Sequence, residues 1–190
     1  MLPQTSDAYF VGSLTNAQRL EAVERLRHGR VRGLIGITGI PDYVFGTSLY
    51  TAPLTSRLRE DFAARLSSCG GTIGRQGRGT YLMNMRRHRA ILAVTGYGEL
   101  TYRHGEALQQ GCTLVAQNLD HIETGFPFQH GHNVVFVRPD LHDLVERVDE
   151  VVRGDYPSVP RQAAIDWAEW SRSPQRILER GITAHLRAVS

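Results

Sequence analysis

The chain has 190 residues, of which 41% are hydrophobic and 22% charged, and a formal net charge of +3. That length supports one well-packed domain, and so small a charge gives no argument for nucleic acid as a partner. No apolar run approaches a membrane span and no basic-then-apolar leader opens the chain. The expectation is a cytoplasmic protein with no integral membrane segment.

A short strand is predicted over residues 8–11, ending at Gly12-Ser13. Helical spacing of Leu20, Val23 and Leu26 predicts a helix over 16–27, capped by Thr15 or Asn16. A second strand is expected over 31–37. Residues 38–53 read as a long loop rich in glycine and aromatic side chains, with Tyr43, Phe45 and Tyr50. A helix over 54–66 leads to a third, short strand over 71–74. A glycine–arginine loop over 75–79 and a short helix over 80–88 follow. The remaining strands fall at 90–94, 113–116 and 134–137, separated by a helix over 101–110 and followed by one over 140–152. In the tail, Ser173-Pro174 divides two helices. Strands alternating with helices define an α/β fold: a three-layer Rossmann-like sandwich with a six-stranded parallel sheet and a C-terminal helical pair. The whole chain, 1–190, reads as a single domain, with its core over 7–153 and a helical tail over 154–190.

The stretch after the fourth strand carries the strongest chemical signal. It runs GYGELTYRHGEALQQGCTLV from Gly96 to Val115, a strand–glycine loop–helix–strand order that presents backbone N–H groups to a phosphate. Tyr102, Arg103 and Glu106 stand three and four positions apart on the first turns of its helix. A cation beside a diphosphate and a carboxylate for ribose hydroxyls suit a sugar nucleotide. An Arg–Glu surface pair at i,i+3 is the simpler alternative. The basic residues are all arginine, so any phosphate grip uses arginine or backbone N–H groups.

The run R-x-x-E-A-L-x-x-G-C, the later Gly131-His132-Asn133-Val134-Val135-Phe136, the opening Tyr9 to Thr15 and the helix over 140–152 together resemble the nucleotide-binding, C-terminal half of a GT-B glycosyltransferase. The flavour is CgeB-like and exostosin-like. The resemblance implies a glycosyltransferase, or the donor-binding half of one, that holds a nucleotide-diphosphate sugar and transfers the sugar. Arg103 and the helix N-terminus would stabilise the leaving group without a metal or other cofactor. It implies donor-binding roles for Gly12, Ser13, Gly74, Arg75, Gly98, Tyr102, Arg103 and Glu106. Catalytic roles fall to Glu99 and Arg103. Retaining enzymes of this type often carry glutamates eight apart; Glu99 and Glu106 are seven apart. GT-B enzymes place their site between two Rossmann-like halves and this chain matches one. The implied partner is therefore an acceptor-domain subunit or a second copy. The reading from another class is a non-catalytic nucleotide-binding or regulatory domain that keeps the half-fold.

Other candidates have plain structural alternatives. Asn118, Asp120, His121 and Glu123 follow the fifth strand, where ligands bind, but Asn118 and Asp120 also suit helix capping. His130-Gly131-His132 has no third ligand at a familiar spacing, so no metal is expected. Cys69 and Cys112 make neither a disulfide framework nor a zinc cluster, and Cys112 reads as a small core residue. Arg86-Arg87-His88-Arg89 reads as a solvated helix end.

Overall fold

The computed structural model describes residues 4–41, 43–45, 51–53, 55–96 and 98–173. Five parallel strands form the main sheet: β1 (Ser6–Ser13), β2 (Gly33–Gly39), β5 (His88–Ala93), β6 (Thr113–Gln117) and β7 (Val135–Val137), in the order β2-β1-β5-β6-β7. Six helices accompany them among the described residues: α1 (Ala17–His28), α2 (Ser56–Ser68), α3 (Arg78–Arg87), α4 (Tyr102–Gln109), α5 (Leu144–Arg153) and α6 (Val159–Arg172).

Side chains alternate between two cores, as strands covered on both faces require. Ala8, Phe10, Ala90 and Leu92 join Leu20, Val23, Leu26, Leu144 and Val148 beneath α1 and α5. Tyr9, Val11, Ile91 and Ala93 join Met85, Ala107, Leu108 and Ala163 beneath α3, α4 and α6. This is the expected three-layer α/β arrangement.

The sheet has five strands where six were expected. The expected strand over 71–74 shrinks to a single parallel bridge of Thr72 to Ile37 at the β2 edge. Ile37 N donates to Gly71 O at 2.7 Å and Ile73 N to Ile37 O at 2.9 Å, after which the chain leaves the sheet for α3. Glycines on both sides of this short stretch supply no side chains to hold a longer edge. The long loop over 38–53 instead contains an antiparallel hairpin of β3 (Tyr43–Phe45) and β4 (Thr51–Pro53). Tyr50 lies outside the described residues.

α5 begins at Leu144, four residues later than its apolar spacing suggests. Asp140 Oδ1 accepts from His142 N at 3.1 Å and Asp143 Oδ1 from Arg138 N at 2.8 Å, and Leu141 is left-handed at φ 58. These side-chain bonds give the backbone a turn in place of a first helical turn. Of the C-terminal helical pair, α6 is the first member; Pro174 and the second member lie outside the described residues.

Candidate functional site

β1 continues through α1 to β2 on one side, and β5 through α4 to β6 on the other. The order therefore reverses between the carboxyl ends of β1 and β5, the position where open α/β sheets bind ligands. Gly12-Ser13 and residues 94–96 flank this crevice.

Two buried guanidinium groups fill its floor. Arg103, on α4, donates from Nη1 to Leu92 O at 3.2 Å, from Nη2 to Val11 O, and from Nε to the Tyr81 hydroxyl at 3.2 Å. Its guanidinium carbon also lies 5.0 Å from the centre of the Phe10 ring. Arg19, on α1, donates to Thr95 O at 2.8 Å, Ser13 O at 3.0 Å and Val94 O at 3.3 Å. Each is less than a tenth exposed. A Cβ at Gly12 would stand 3.3 Å from a guanidinium nitrogen of each arginine, and one at Gly96 would stand 2.5 Å from Arg19 Nη2. Glycine at these two places lets the cations approach the strand ends.

Glu106, one turn along α4, does not pair with Arg103. Its Oε2 accepts from the Tyr81 hydroxyl at 2.9 Å and its Oε1 from Arg78 Nη1 at 3.3 Å. Tyr81 thus accepts from the cation and donates to the carboxylate, a relay that requires a protonated phenol. Burial, partly opposed by the Arg103 charge, raises its pKa. The same contacts set α3 beside α4, so the loop carrying exposed Gly74 and Arg75 enters α3 next to Glu106.

α4 opens with a reciprocal cap. Thr101 N donates to His104 Nδ1 at 3.0 Å, histidine standing where a capping box ordinarily has glutamate. Nδ1 also lies 3.2 Å from Thr101 O, so whether it accepts or donates follows the tautomer. Nε2 is buried with no hydrogen-bond partner, and burial lowers the His104 pKa to about 4. The imidazole is therefore neutral at pH 7 and adds no charge to the helix start.

The remaining candidates divide. Exposed Gly98 closes the turn, its carbonyl accepting from Gly96 N at 3.0 Å. Glu99 Oε2 lies 2.7 Å from His121 Nε2, joining the loops after β5 and β6. Tyr102 projects outward, 94% exposed. Asn118 Oδ1 accepts from Asp120 N at 2.7 Å, closing a local turn in place of the expected helix cap, because no helix follows β6 before β7 among the described residues. His130 Nδ1 accepts from Phe136 N at 2.9 Å while His132 Nε2 lies 3.2 Å from Asp166 Oδ2, so the two histidines serve separate contacts. Among the described residues no three His, Cys, Asp or Glu side chains gather as metal ligands.

Three further participants escape a reading of the sequence. Arg19 shares the apolar stripe of α1 with Val23 and Leu26, and a charge on a buried stripe is a usable signal. Tyr81 carries none, because its partners come from another helix. Nor does Gln117, buried at the end of β6, whose Oε1 accepts from Thr95 N at 2.8 Å and whose Nε2 donates to Pro139 O at 2.9 Å. It ties the ends of three neighbouring segments at the carboxyl edge.

No protein-family profile matches the sequence, and no curated protein does. Among solved structures the chain is similar to TarM, a glycosyltransferase of the GT-B fold, with a TM-score of 0.55 and 13% identity over 96% of this chain. The chain spans 35% of the length of TarM. At that identity the likeness is one of fold alone, an α/β domain with a parallel sheet. No helix among the described residues is long and apolar enough to cross a membrane.

Proposed function

We propose that this chain is the donor-binding half of a glycosyltransferase and holds a nucleotide-diphosphate sugar at the crevice between β1 and β5. The observation that carries the reading is the buried guanidinium of Arg103, beside Gly12, with carbonyl and phenol oxygens as partners and no carboxylate among the described residues. A buried cation held only by dipoles favours an anion in the adjoining crevice. The N-terminus of α4 and the backbone at Gly12, Ser13 and Gly98 add N–H groups there. Glu106, fixed by Tyr81 and Arg78 about 5–6 Å along the helix axis from Tyr102, takes the ribose hydroxyls. Gly74 and Arg75 flank the base, and Tyr102 and Glu99 lie toward the sugar. In transfer, Arg103 and the α4 N-terminus stabilise charge on the departing diphosphate, and the reading requires no metal. An acceptor-binding subunit, or a second copy of the chain, completes the cleft.

A second reading, nucleotide binding without transfer, is favoured by the Glu99–His121 contact at 2.7 Å, which engages the proposed catalytic carboxylate. Calorimetric titration with UDP, GDP and ADP tests the common premise. At least one should bind, and Arg103→Gln should weaken it by about 1.5–3 kcal/mol, the value of a hydrogen bond to a charged group. Absence of binding to all three at millimolar ligand overturns the donor-site reading. Sugar release from a bound nucleotide sugar separates the two readings.

A further inference from the structure

The opposite end of the sheet, where the parallel strands begin, gathers a second set of arginines. Thr5 N donates to Arg87 O, and Asp7 N and Ala8 N both donate to Arg32 O, so Arg32 and Arg87 stand on either side of the start of β1. Arg89, the second residue of β5, reaches Val152 O at the end of α5, which brings Arg153 alongside. Arg30 is held out on the α1–β2 turn by a left-handed backbone, φ 56, and Arg86 stands in the last turn of α3 beside Arg87. All six side chains are exposed. The carboxylates near them are Asp7, paired with Arg32 at 3.0 Å, Asp155, paired with Arg153 at 2.9 Å, and Asp149, one turn up α5. Among the described residues six guanidinium groups thus face three carboxylates. The hydrogen bond from Arg32, with the charges of Arg32 and Arg89 behind it, holds the Asp7 carboxyl below its ordinary range in spite of its burial.

We propose that this amino edge of the sheet is a peripheral docking surface for an anionic phospholipid bilayer. Exposed arginines on adjoining turns match an array of lipid phosphates, and Arg30, Arg86 and Arg87, which have no carboxylate partner among the described residues, can each take a phosphate as a bidentate ligand. The apolar element lies beside them: Met83, 48% exposed, is on the outer face of α3 one turn before Arg86 and Arg87. An apolar side chain flanked by cations suits the headgroup–acyl boundary. Nucleic acid fits less well. Among the described residues the strongly exposed Tyr, Phe or Trp ring is Tyr102, and it stands at the other edge, leaving only the His28 imidazole here for a base to stack on. The edge lies roughly 23 Å along β1 from the crevice, at strand rise over seven steps, so docking leaves the crevice open.

Flotation of the full chain with phosphatidylglycerol–phosphatidylcholine vesicles and with pure phosphatidylcholine vesicles tests this. Binding is expected to the anionic vesicles alone and to fall with added salt. The triple variant Arg30→Asn, Arg86→Ala, Arg87→Ala should bind about a hundredfold more weakly, at about fivefold for each arginine. Asparagine keeps the left-handed turn at position 30, and an unchanged melting temperature certifies the fold. Met83→Gln should weaken binding a few-fold. The charge-matched control Arg57→Ala, Arg138→Ala, Arg172→Ala, placed away from this edge, should bind as the wild type does. Equal binding to both vesicle types, equal loss in the control, or binding to an oligonucleotide with none to anionic vesicles overturns the proposal.

Discussion

Replacing Tyr81 with phenylalanine removes one oxygen and leaves the ring, which packs edge-on against Tyr9 at 5.6 Å between centres. Two contacts end: Arg103 Nε loses its acceptor at 3.2 Å and Glu106 Oε2 its donor at 2.9 Å. The losses differ. Arg103 is buried, so Nε is left without a partner at about 1–3 kcal/mol. Glu106 keeps Arg78 at 3.3 Å, and its side chain is 18% exposed, so water replaces part of the missing bond and the added cost is roughly 1 kcal/mol. The sum is about 2–4 kcal/mol, which for a chain of this size lowers the melting temperature by roughly 5–15 °C. Calorimetric melting of wild type, Tyr81→Phe, Glu106→Gln and the double variant forms a thermodynamic cycle with an expected coupling near 1 kcal/mol. A melting temperature within 1 °C of wild type, or additive single effects, refutes the relay that joins Arg103 to Glu106.

Two other outcomes follow from the same region. His104 has a folded pKa of about 4 against an ordinary 6.5, so the unfolded chain takes up its proton first as the pH falls. Its contribution is complete above about pH 6.5 and is lost progressively toward pH 4, by up to about 3 kcal/mol; His104→Gln should flatten that part of a stability–pH curve measured by urea unfolding, and an unchanged slope would count against it. If Glu106 binds ribose, Glu106→Gln should lower affinity for a ribonucleoside diphosphate about tenfold more than for its 2′-deoxy analogue in calorimetric titration, whereas equal losses would return the carboxylate to a structural role.

The alternation of strands and helices was legible in the sequence because buried parallel strands leave continuous apolar runs, such as those in β1 and β5. Helices leave a 3.6-residue stripe, as α1 does with Leu20, Val23 and Leu26. Gly96 was legible as a turn for the same local reason, whereas Gly12, expected to end the first strand, lies inside β1 beside a shift in its register with β2. The neighbourhood of Arg103 and Glu106 was also legible, as residues on one helix at the carboxyl edge of a strand. Their partners were not. Spacing on α4 pairs the two with each other, while the tertiary structure sends Arg103 inward to the carbonyls of Val11 and Leu92 and Glu106 across to Tyr81 and Arg78. Only packing of α1, α3 and α4 on the same strand ends decides this, since a buried guanidinium goes to whichever oxygens the neighbouring backbone leaves unpaired. The third strand failed for a related reason. Its sequence permits extension, but whether an edge segment joins a sheet depends on how many backbone bonds its neighbour offers. Here β2 holds Thr72 and its immediate neighbours, and the glycines beyond turn the chain toward α3.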